Sequence, residues 1–542
     1  MAESETDVLI IGAGAAGLTA ALAAHEAGAT VTIIEKGDRL GGTAAISGGI
    51  VWVANNPQMQ AAGMADSAEE ALAYFGSLDH GEMDVDVLSA FVNEGPQALS
   101  FLAEAGAVKM SILPGYPDYY LDRPGAKPQG SRALDNDLFD FRLLGDWADK
   151  VFHGGDIYRL MLRETPLGGG SGMIDPEEMQ RRTEEDQRGF GQALVGRLLK
   201  ACLDRGIEPL LSCKGRKLLV ENGRIIGAEF DYEDTRKTVM ARRGVILATG
   251  GFEWNEALKK AFLRGPLDAP ASPPGNQGDG LKLAMSVGAG LGNMTSAWWV
   301  PTLSVKGANW PGGEQRAVPV LIERTMPHSI MVNKAGERFC NEANNYASLA
   351  GAFHAFDPAS YSHSNLPCYL IFDHQYRQRY PVASLMPGDP LPDWVATADT
   401  LAGLAVKIGV DGGQLDRTVA TFNEHSASAN DPQFGRGKSN YDRFYGDRSR
   451  PGAAATLGPV ETAPFYAVEL KSGALGTNGG ARTNASAQIL DVDGEPIAGL
   501  FGAGNVISCP TGSVYAGAGG TLGPALTFGY IAGRAAARLA NA

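Results

Sequence analysis

The apolar pattern of the N-terminal region predicts a strand, a tight turn, a helix and a second strand in direct succession. Residues 7–11 (DVLII) form a short apolar run typical of a buried strand, and residues 12–17 (GAGAAG) follow at once. The helical pattern of residues 18–28 leads to a second apolar run, residues 31–34, which ends before Glu35. A GxGxxG turn in this setting is typical of a dinucleotide site, because its glycines let the backbone approach a pyrophosphate and the acid binds a ribose.

Two further apolar runs end in glycine-rich turns and favour FAD over NAD as the bound nucleotide. Residues 244–251 and 499–505 each have the form of a strand followed by glycines, and residues 41–49 add glycines after Glu35. Three separated turns suit the long FAD molecule better than a mononucleotide, and the alternative is that 71 glycines produce the pattern by chance. The predicted FAD-binding residues are Gly12, Gly14, Ala15, Ala16, Gly17, Glu35, Lys36, Gly41, Gly42, Thr43, Ser47, Gly48, Gly49, Thr249, Gly250, Gly251, Gly504 and Asn505.

Residues 511–530 (TGSVYAGAGGTLGPALTFGY) combine a tyrosine, a glycine-rich turn and the start of an apolar helix. Tyr515 precedes Gly519 by four residues, so a phenol and an unhindered backbone N–H can serve one substrate oxygen. The helix is predicted to begin near Leu522 and Gly523, and its positive N-terminal end is expected to face the flavin. Leu522 and Gly523 are therefore assigned to the cofactor as well.

The composition predicts an enzyme of two domains without a metal. A chain of 542 residues is too long for one simple core, and a net charge of −15 excludes a nucleic-acid-binding surface. The five cysteines form no CxxC pair and the eight histidines are scattered, so neither a disulfide framework nor a metal site is predicted. Because no signal-like N-terminus and no membrane-length apolar run is present, the protein is expected to be cytoplasmic.

The glycine-rich signals bracket one large insertion. Residues 1–300 and 476–542 are predicted to form a discontinuous, Rossmann-like FAD-binding domain of the α/β class. Residues 301–475 contain more aromatic residues and prolines and are predicted to form an inserted α+β catalytic (cap) domain. Residues 160–187 are polar and glycine-rich, so they are expected to form an excursion of the chain or a mobile surface loop.

Six motifs together resemble the 3-ketosteroid Δ1-dehydrogenases, which are FAD enzymes within the fumarate-reductase-like flavoproteins. The motifs are GAGAAG followed by GG, PDYY at 117–120, WW at 298–299, GERFCNEANNY at 336–346, LGTNGGARTN at 475–484 and YAGAGGTLGPALTFG at 515–529. The glycine motifs occur in many flavoproteins, whereas those that contain tyrosine are much more specific. The resemblance covers nearly the whole chain and implies 1,2-dehydrogenation of a 3-ketosteroid.

The resemblance also implies catalytic roles. Tyr515 and the N–H of Gly519 resemble the pair that binds the ketone oxygen, and Tyr346 resembles the tyrosine that removes the α-proton. Because a free tyrosine has a pKa of about 10, a second tyrosine is expected to assist Tyr346. Tyr119 is favoured over Tyr120, since only one of two successive side chains in an extended segment faces a given side. The alternative for Tyr515 and Tyr346 is a structural place in the core, and the alternative for the tyrosines of PDYY is a surface turn after Pro117.

Two segments depart from the family pattern. Ala516 and Ala518 replace prolines that are common in the family's Tyr-Pro-Gly-Pro-Gly turn, and Asn345 stands where a proline often precedes the catalytic tyrosine. Because proline fixes φ and restrains its predecessor, these residues are expected to loosen both segments. The loss of these prolines is expected to affect which substrate shape fits the site and which bond is desaturated.

Three other functions are compatible with parts of the pattern. A fumarate-reductase-like enzyme needs clustered Arg and His for two carboxylates, but residues 343–356 (ANNYASLAGAFHAF) contain no arginine. The same dehydrogenation of a smaller cyclic ketone, such as a cyclohexanone derivative, would use the same ketone-binding pair. A non-catalytic flavin-binding protein would not need three tyrosines placed as in the family. The electron acceptor that reoxidises the flavin is not identified by the sequence.

Overall fold

The structure, a computed structural model, describes residues 4–540, which divide into two compact units. The first unit comprises the described residues of Met1–Leu263, Ser272–Trp298 and Gly476–Ala542. The second unit comprises Arg264–Ala271 and Trp299–Leu475. The chain therefore leaves the first unit twice, once for a short segment and once for a long one.

The short segment Arg264–Ala271 belongs to the second unit, whereas the sequence pattern places it in the FAD-binding domain. Its backbone is hydrogen-bonded to the second unit instead. The Ala271 N–H donates to Ala474 O at 2.9 Å, and the Asp268 N–H donates to Ser472 O at 3.0 Å. Pairing of this kind leaves no trace in the local sequence.

The strands are β1 (Ser4–Ile11), β2 (Val31–Ile34), β3 (Val51–Trp52), β4 (Met110–Pro114), β5 (Gly130–Asn136), β6 (Phe139–Asp140), β7 (Gln187–Arg188), β8 (Lys214–Glu221), β9 (Arg224–Tyr232), β10 (Thr235–Leu247), β11 (Leu291–Gly292), β12 (Ala297–Asn309), β13 (Gln315–Pro319), β14 (Ser329–Asn333), β15 (Phe356–Asp357), β16 (Ser362–His363), β17 (Cys368–Phe372), β18 (Ala396–Ala398), β19 (Phe465–Thr477), β20 (Gly480–Ala481), β21 (Gln488–Leu490) and β22 (Pro496–Gly502).

The α-helices are α1 (Ala15–Glu26), α2 (Gly42–Ile46), α3 (Pro57–Ala61), α4 (Ala68–Gly76), α5 (Val85–Glu104), α6 (Pro176–Glu184), α7 (Phe190–Leu203), α8 (Glu256–Phe262), α9 (Asp279–Ser286), α10 (Leu349–Phe353), α11 (His374–Arg377), α12 (Leu401–Ile408), α13 (Gly412–Ser426), α14 (Asn440–Phe444) and α15 (Leu522–Ala537). Short 3₁₀ helices span Phe141–Lys150, Leu162–Glu164, Pro166–Gly168, Glu323–Thr325, Gly452–Ala455 and Gly504–Val506. Within residues 4–540, no helix combines the length and the apolar character needed to cross a membrane.

The first unit is built on a sheet in the order β2-β1-β10-β22-β21, in which β2, β1, β10 and β22 run parallel. Strands β9 and β8 continue from β10 in antiparallel pairing. The apolar runs form the centre of this sheet because both faces are covered, and Val8, Leu9 and Ile10 are fully buried. The three predicted glycine turns follow β1, β10 and β22. They therefore meet at one edge of the sheet, where α/β folds bind nucleotides.

Helices α1 and α15 pack closely in this unit because glycines line their contact. A Cβ atom at Gly529 would lie 2.5 Å from Ala16 O, and one at Gly533 would lie 2.3 Å from Ala20 O. The two glycines are four residues apart, so they lie on the same face of α15 and allow the two helix backbones to touch. This contact brings the N-terminus of α15 toward the N-terminus of α1.

The second unit is a mixed α/β structure around the sheet β13-β12-β19-β17-β14, with β18 also paired to β19. One core, which includes Met331, Leu370 and Val468, is formed around this sheet. A second core contains residues of β14, β17 and β19 together with Leu404 and Val419 of α12 and α13. Successive side chains of a strand point to opposite faces of the sheet, so the same strands contribute residues to both cores.

The mobile loop expected at 160–187 is instead structured. It contains two short 3₁₀ helices and α6, whose N-cap Asp175 accepts hydrogen bonds from two backbone N–H groups. Arg182 is buried and donates to both carboxylate oxygens of Glu164 at 2.8 Å. The polar composition of the segment predicted an exposed loop. The Arg182–Glu164 ion pair instead joins two parts of the segment that are 18 residues apart, and it anchors them to each other.

His354 is a partly buried histidine in the second unit that does not carry a charge near neutral pH. Its Nε2 lies 2.8 Å from Ser472 Oγ, and its ring packs edge-on against Trp299 at 4.5 Å between centroids. A Cβ atom at Gly265 would lie 2.1 Å from the ring, so glycine is required there. Burial, together with His363, lowers the pKa of His354 to about 4.

Stability is expected to fall on acidification because of His354. The unfolded side chain binds a proton near pH 6.5, whereas the folded one does so near pH 4, so its contribution to stability is present above pH 6.5 and is lost as the pH falls toward 4. His354→Gln should reduce the loss in free energy of unfolding between pH 7 and pH 5, measured by urea denaturation. His80→Gln, at an exposed position, is the control. An unchanged pH dependence in His354→Gln would contradict the assignment.

Candidate active site

The turn between β1 and α1 has the geometry of a pyrophosphate cradle. Gly12 has φ +110°, and a Cβ atom there would lie 2.3 Å from Ala248 O, while one at Gly17 would lie 2.0 Å from Gly12 O. Among the described residues, the N–H groups of Ala15 and Ala16 have no acceptor. Free N–H groups at the start of a helix bind anions, so the predicted contact residues fit the phosphates of FAD.

Glu35 and Lys36 follow β2 and hold the loops of the cradle. Glu35 accepts hydrogen bonds from the backbone N–H groups of Ala13 at 3.0 Å and Gly37 at 2.9 Å. Burial raises the pKa of the Glu35 carboxyl above its usual value. Lys36 forms an ion pair with Asp279 at 2.5 Å. The acid is thus at the predicted place beside the turn, whereas the lysine ammonium is already paired.

A buried carboxyl that sequence reasoning missed lies beside the second glycine turn. Glu253 is fully buried and accepts hydrogen bonds from Ser272 Oγ at 2.6 Å and from Asn276 Nδ2 at 2.7 Å. The same amide nitrogen donates to Thr43 Oγ1 at 2.8 Å, which links two predicted FAD-binding segments. Burial raises the pKa of Glu253. Its place two residues after Gly251 was the only signal in the sequence.

Each of the glycine-rich segments contains close backbone approaches. In the 41–49 segment, Gly41 and Gly49 have φ of +98° and +71°, and the Gly49 N–H donates to Ser47 Oγ at 3.0 Å. Gly250 has φ +75°, and a Cβ atom at Gly251 would lie 2.3 Å from Thr477 Oγ1. Of the remaining predicted residues, Gly42 and Thr43 begin helix α2, Gly48 lies in the loop that follows this helix, and Thr249 lies in the turn after β10.

The third turn and the start of α15 form another part of the cradle. Gly504 has φ +75°, and a Cβ atom at this position would lie 3.2 Å from Ala16 Cβ. The third turn therefore lies directly against the first. A small cavity in the first unit is lined by Asn505 on this turn and by the first turn of α15. The N–H of Leu522 has no acceptor among the described residues, whereas that of Gly523 donates to Gly519 O at 3.0 Å.

Tyr119 and Tyr515 lie together in the first unit. Their rings stack with centroids 5.7 Å apart and an interplanar angle of 12°, and both side chains are nearly fully buried. Trp298 packs edge-on against Tyr515 at 5.2 Å. Of the PDYY pair, it is therefore Tyr119, and not the more exposed Tyr120, whose ring lies against Tyr515.

The turn at 515–519 presents the N–H of Gly519 without an acceptor among the residues that the structure describes. Gly519 has φ +94°, and a Cβ atom there would lie 2.6 Å from Trp52 N and 2.7 Å from Ile50 O. No other residue type fits at this position without moving backbone. The phenol of Tyr515 and this N–H are hydrogen-bond donors of one short turn, and groups of this kind form oxyanion holes.

A buried ion network that the sequence did not reveal supports this turn. Arg132 is fully buried and pairs with Asp66 at 2.6 Å and with Asp118 at 2.9 Å. The other Asp118 oxygen accepts a hydrogen bond from Trp52 Nε1 at 2.9 Å. Gly517 packs against the same indole, since a Cβ atom there would lie 2.6 Å from Nε1. The network therefore fixes both the residue before Tyr119 and the wall behind the turn.

Tyr346 belongs to the second unit and follows a segment held by buried charges. The Arg338 guanidinium donates to Glu342 at 2.7 Å and to Asp431 at 2.9 Å, and all three side chains are buried. Asn345 Oδ1 accepts the N–H of Ser348 at 2.9 Å. Asn345 was expected to loosen this segment in place of a proline, but its side chain closes the turn around Tyr346 by a hydrogen bond.

Comparisons with known proteins identify the family of this chain. A family model described as "FAD binding domain" matches residues 7–522. A 4-oxocyclohexanecarboxylate 2-dehydrogenase from Sinomonas cyclohexanicum is 39% identical over 540 residues, which cover 98% of this chain and 92% of that one. A 3-oxosteroid 1-dehydrogenase from Mycobacterium tuberculosis is 37% identical over 564 residues, 98% of each chain.

A solved structure has the same fold over its full length. The crystal structure of 3-ketosteroid Δ1-dehydrogenase from Sterolibacterium denitrificans, in complex with 1,4-androstadiene-3,17-dione, matches with a TM-score of 0.90 and 34% identity. The match covers 98% of this chain and 99% of that chain.

The glycine cradle and these similarities define the protein as an FAD-dependent oxidoreductase. The chain belongs to the 3-oxosteroid 1-dehydrogenase family of flavoproteins, and the predictions of FAD and of this family are confirmed.

The cradle can be tested by separating cofactor affinity from folding. At Gly14 the nearest atom to a notional Cβ is 4.0 Å away, and φ is −79°, so Gly14→Ala should leave the apoprotein as stable as wild type. The methyl group would occupy the space that the pyrophosphate approaches. We expect FAD affinity to fall at least about tenfold, or about 1.4 kcal/mol, in titrations of the apoprotein.

Gly17→Ala is the matched contrast for this experiment. A Cβ atom there meets Gly12 O at 2.0 Å, so this variant should lower the melting temperature of the apoprotein itself. Wild-type FAD affinity in Gly14→Ala would show that the pyrophosphate does not lie at this turn.

Proposed function

We propose that the protein desaturates a cyclic ketone between its α and β carbons, and that the substrate is a 3-ketosteroid dehydrogenated at its 1,2 bond. The observation that supports this is the ketone-binding pair in one turn. The Tyr515 phenol is buried beside Tyr119, and the Gly519 N–H has no acceptor among the described residues. Similarity to 3-oxosteroid 1-dehydrogenases over nearly the whole chain supports the reaction class.

The polarisation of the ketone is assigned to Tyr515 and Gly519. A phenol O–H and a backbone N–H that both bind the carbonyl oxygen bind more strongly as enolate charge develops on it. Each donor of such a pair lowers the barrier by about 2.7–4 kcal/mol. The Gly519 N–H is held in place because its backbone abuts Trp52 and Ile50.

The proton transfer is assigned to Tyr346 with the help of Tyr119. The α-proton passes to the Tyr346 phenolate oxygen as the C–H bond breaks, and from there to solvent. Since phenolate is scarce at neutral pH, a second phenol that donates a hydrogen bond to it would favour the reactive form. The FAD that the glycine turns would hold would supply the two-electron acceptor for the β-hydrogen, which leaves the substrate as hydride.

A smaller substrate is the second candidate, because a specific similarity favours it. The 4-oxocyclohexanecarboxylate 2-dehydrogenase of Sinomonas cyclohexanicum is 39% identical to this chain, compared with 37% for the 3-oxosteroid 1-dehydrogenase of Mycobacterium tuberculosis. The substrate named for that protein is also a cyclic ketone. The same pair of donors would hold its carbonyl oxygen.

Anaerobic mixing of the holoenzyme with candidate ketones decides between the two substrates. The panel contains a 4-ene-3-ketosteroid, a saturated 3-ketosteroid and 4-oxocyclohexanecarboxylate, and the loss of oxidised flavin absorbance is followed by stopped flow. We expect rapid bleaching by a steroid, with the desaturated product confirmed by mass spectrometry. Bleaching by the carboxylate alone would establish the second candidate, and bleaching by none would exclude the proposed reaction.

Tyr346→Phe tests the base. We expect this variant to retain FAD and to bind the ketone with an affinity close to that of wild type, since both ketone donors remain. Flavin reduction should be abolished because no group takes the α-proton.

Tyr376→Phe provides the matched control for this test. Tyr376 is fully buried in the same unit, and its hydroxyl donates to Glu323 O at 2.9 Å. The control should cost stability but leave the rate of flavin reduction unchanged. Near-normal reduction in Tyr346→Phe would rule out its role as the base.

A further inference from the structure

Tyr74 on α4 is a fully buried tyrosine whose hydroxyl joins two catalytic segments. The hydroxyl donates to Ala516 O at 2.8 Å, in the turn that follows Tyr515. The same oxygen accepts the N–H of Tyr120 at 3.1 Å, directly after Tyr119. One phenol therefore connects the ketone-binding turn to the segment of the assisting tyrosine, although it is far from both in sequence.

The Ala516 carbonyl is a meeting point of these segments. Besides the Tyr74 hydroxyl, it accepts the backbone N–H of Tyr119 at 3.0 Å. Two donors thus hold a carbonyl at the position where prolines are common in the family. The turn that Ala516 and Ala518 were expected to loosen is restrained by these hydrogen bonds instead of by proline rings.

We propose that the Tyr74 hydroxyl is a positioning group that sets the Tyr119 ring against Tyr515. The proposal rests on the proposed function, in which Tyr119 assists proton transfer and Tyr515 binds the ketone. Tyr74 itself is not assigned a contact with substrate or flavin. Its action is to fix two backbone segments relative to each other.

The surroundings of Tyr74 suit this role. The Arg132 guanidinium lies 5.7 Å from the ring centroid, so the phenol is packed against the buried ion network that also holds Asp118. Burial, reinforced by Asp118, raises the pKa of Tyr74 far above its usual value. The hydroxyl therefore keeps its proton, and its bond to Ala516, across the range of pH in which the enzyme can be assayed. No other described side-chain donor replaces this bond.

Tyr74→Phe removes only the hydroxyl oxygen and is compared with Tyr376→Phe, which makes the same change at an equally buried site in the second unit. FAD content, melting temperature, ketone dissociation constant and the limiting rate of anaerobic flavin reduction are measured for both holoenzymes. The ketone used is whichever member of the panel bleaches the wild type.

We expect the two variants to lose similar stability, but only Tyr74→Phe to lose rate. Its limiting rate of flavin reduction should fall about tenfold to a hundredfold, because a small displacement of a proton-transfer group has a large effect on rate. Its ketone dissociation constant should change less than about twofold, since Tyr515 and Gly519 remain. General destabilisation of the protein would not lower the limiting rate while leaving the ketone dissociation constant nearly unchanged.

The possible failures are distinguishable. If the wild type is reduced by a ketone and both variants are reduced at wild-type rate, the positioning role is overturned and the proposed function stands. If Tyr74→Phe changes rate and affinity to the same extent as Tyr376→Phe, the inference is likewise overturned. If no ketone bleaches the wild type, the proposed function fails and the inference falls with it.

Discussion

The approach of the C-terminal turn to the backbone of Trp52 is the contact on which the site depends. The Trp52 N–H donates to Gly519 O at 3.2 Å, and a Cβ atom at Gly523 would lie 2.0 Å from Trp52 O. Only glycine permits backbone to approach backbone so closely at both positions. This contact fixes the Gly519 N–H and the start of α15 together, so the two roles predicted for the turn depend on one interaction.

Buried charged residues surround this contact, and their main effect is to orient the groups next to it. Arg132 is fully buried between Asp66 and Asp118, and the cost of removing such charges from water is offset only when their geometry is good and their hydrogen bonds are complete. The Asp118 carboxylate also accepts hydrogen bonds from Trp52 Nε1 and from the Lys127 N–H. Apolar residues would pack as well in this place, but they would not orient the indole or the residue before Tyr119.

The fold of the cofactor half was largely predictable because its signals are local. The apolar runs at 7–11 and 31–34 became β1 and β2, and Gly12 and Gly17 of the first turn are required by contacts of 2.0–2.3 Å. The segment at 160–187 was predicted wrongly as a mobile loop, since the Arg182–Glu164 pair that anchors it joins residues 18 apart. The Glu253 and Arg132 networks were missed for the same reason.

The sequence by itself determined the cofactor, the family and the identity of the candidate tyrosines, because each depends on a short motif whose residue types have few alternatives. Only the tertiary structure decided that Tyr119 rather than Tyr120 stacks on Tyr515, and that Tyr74 bonds to both of their segments. It also showed that Ala516 is restrained without proline. The physical reason is that hydrogen bonds and ring contacts between segments depend on distances in space, and residues 442 positions apart share a bond that no local pattern records.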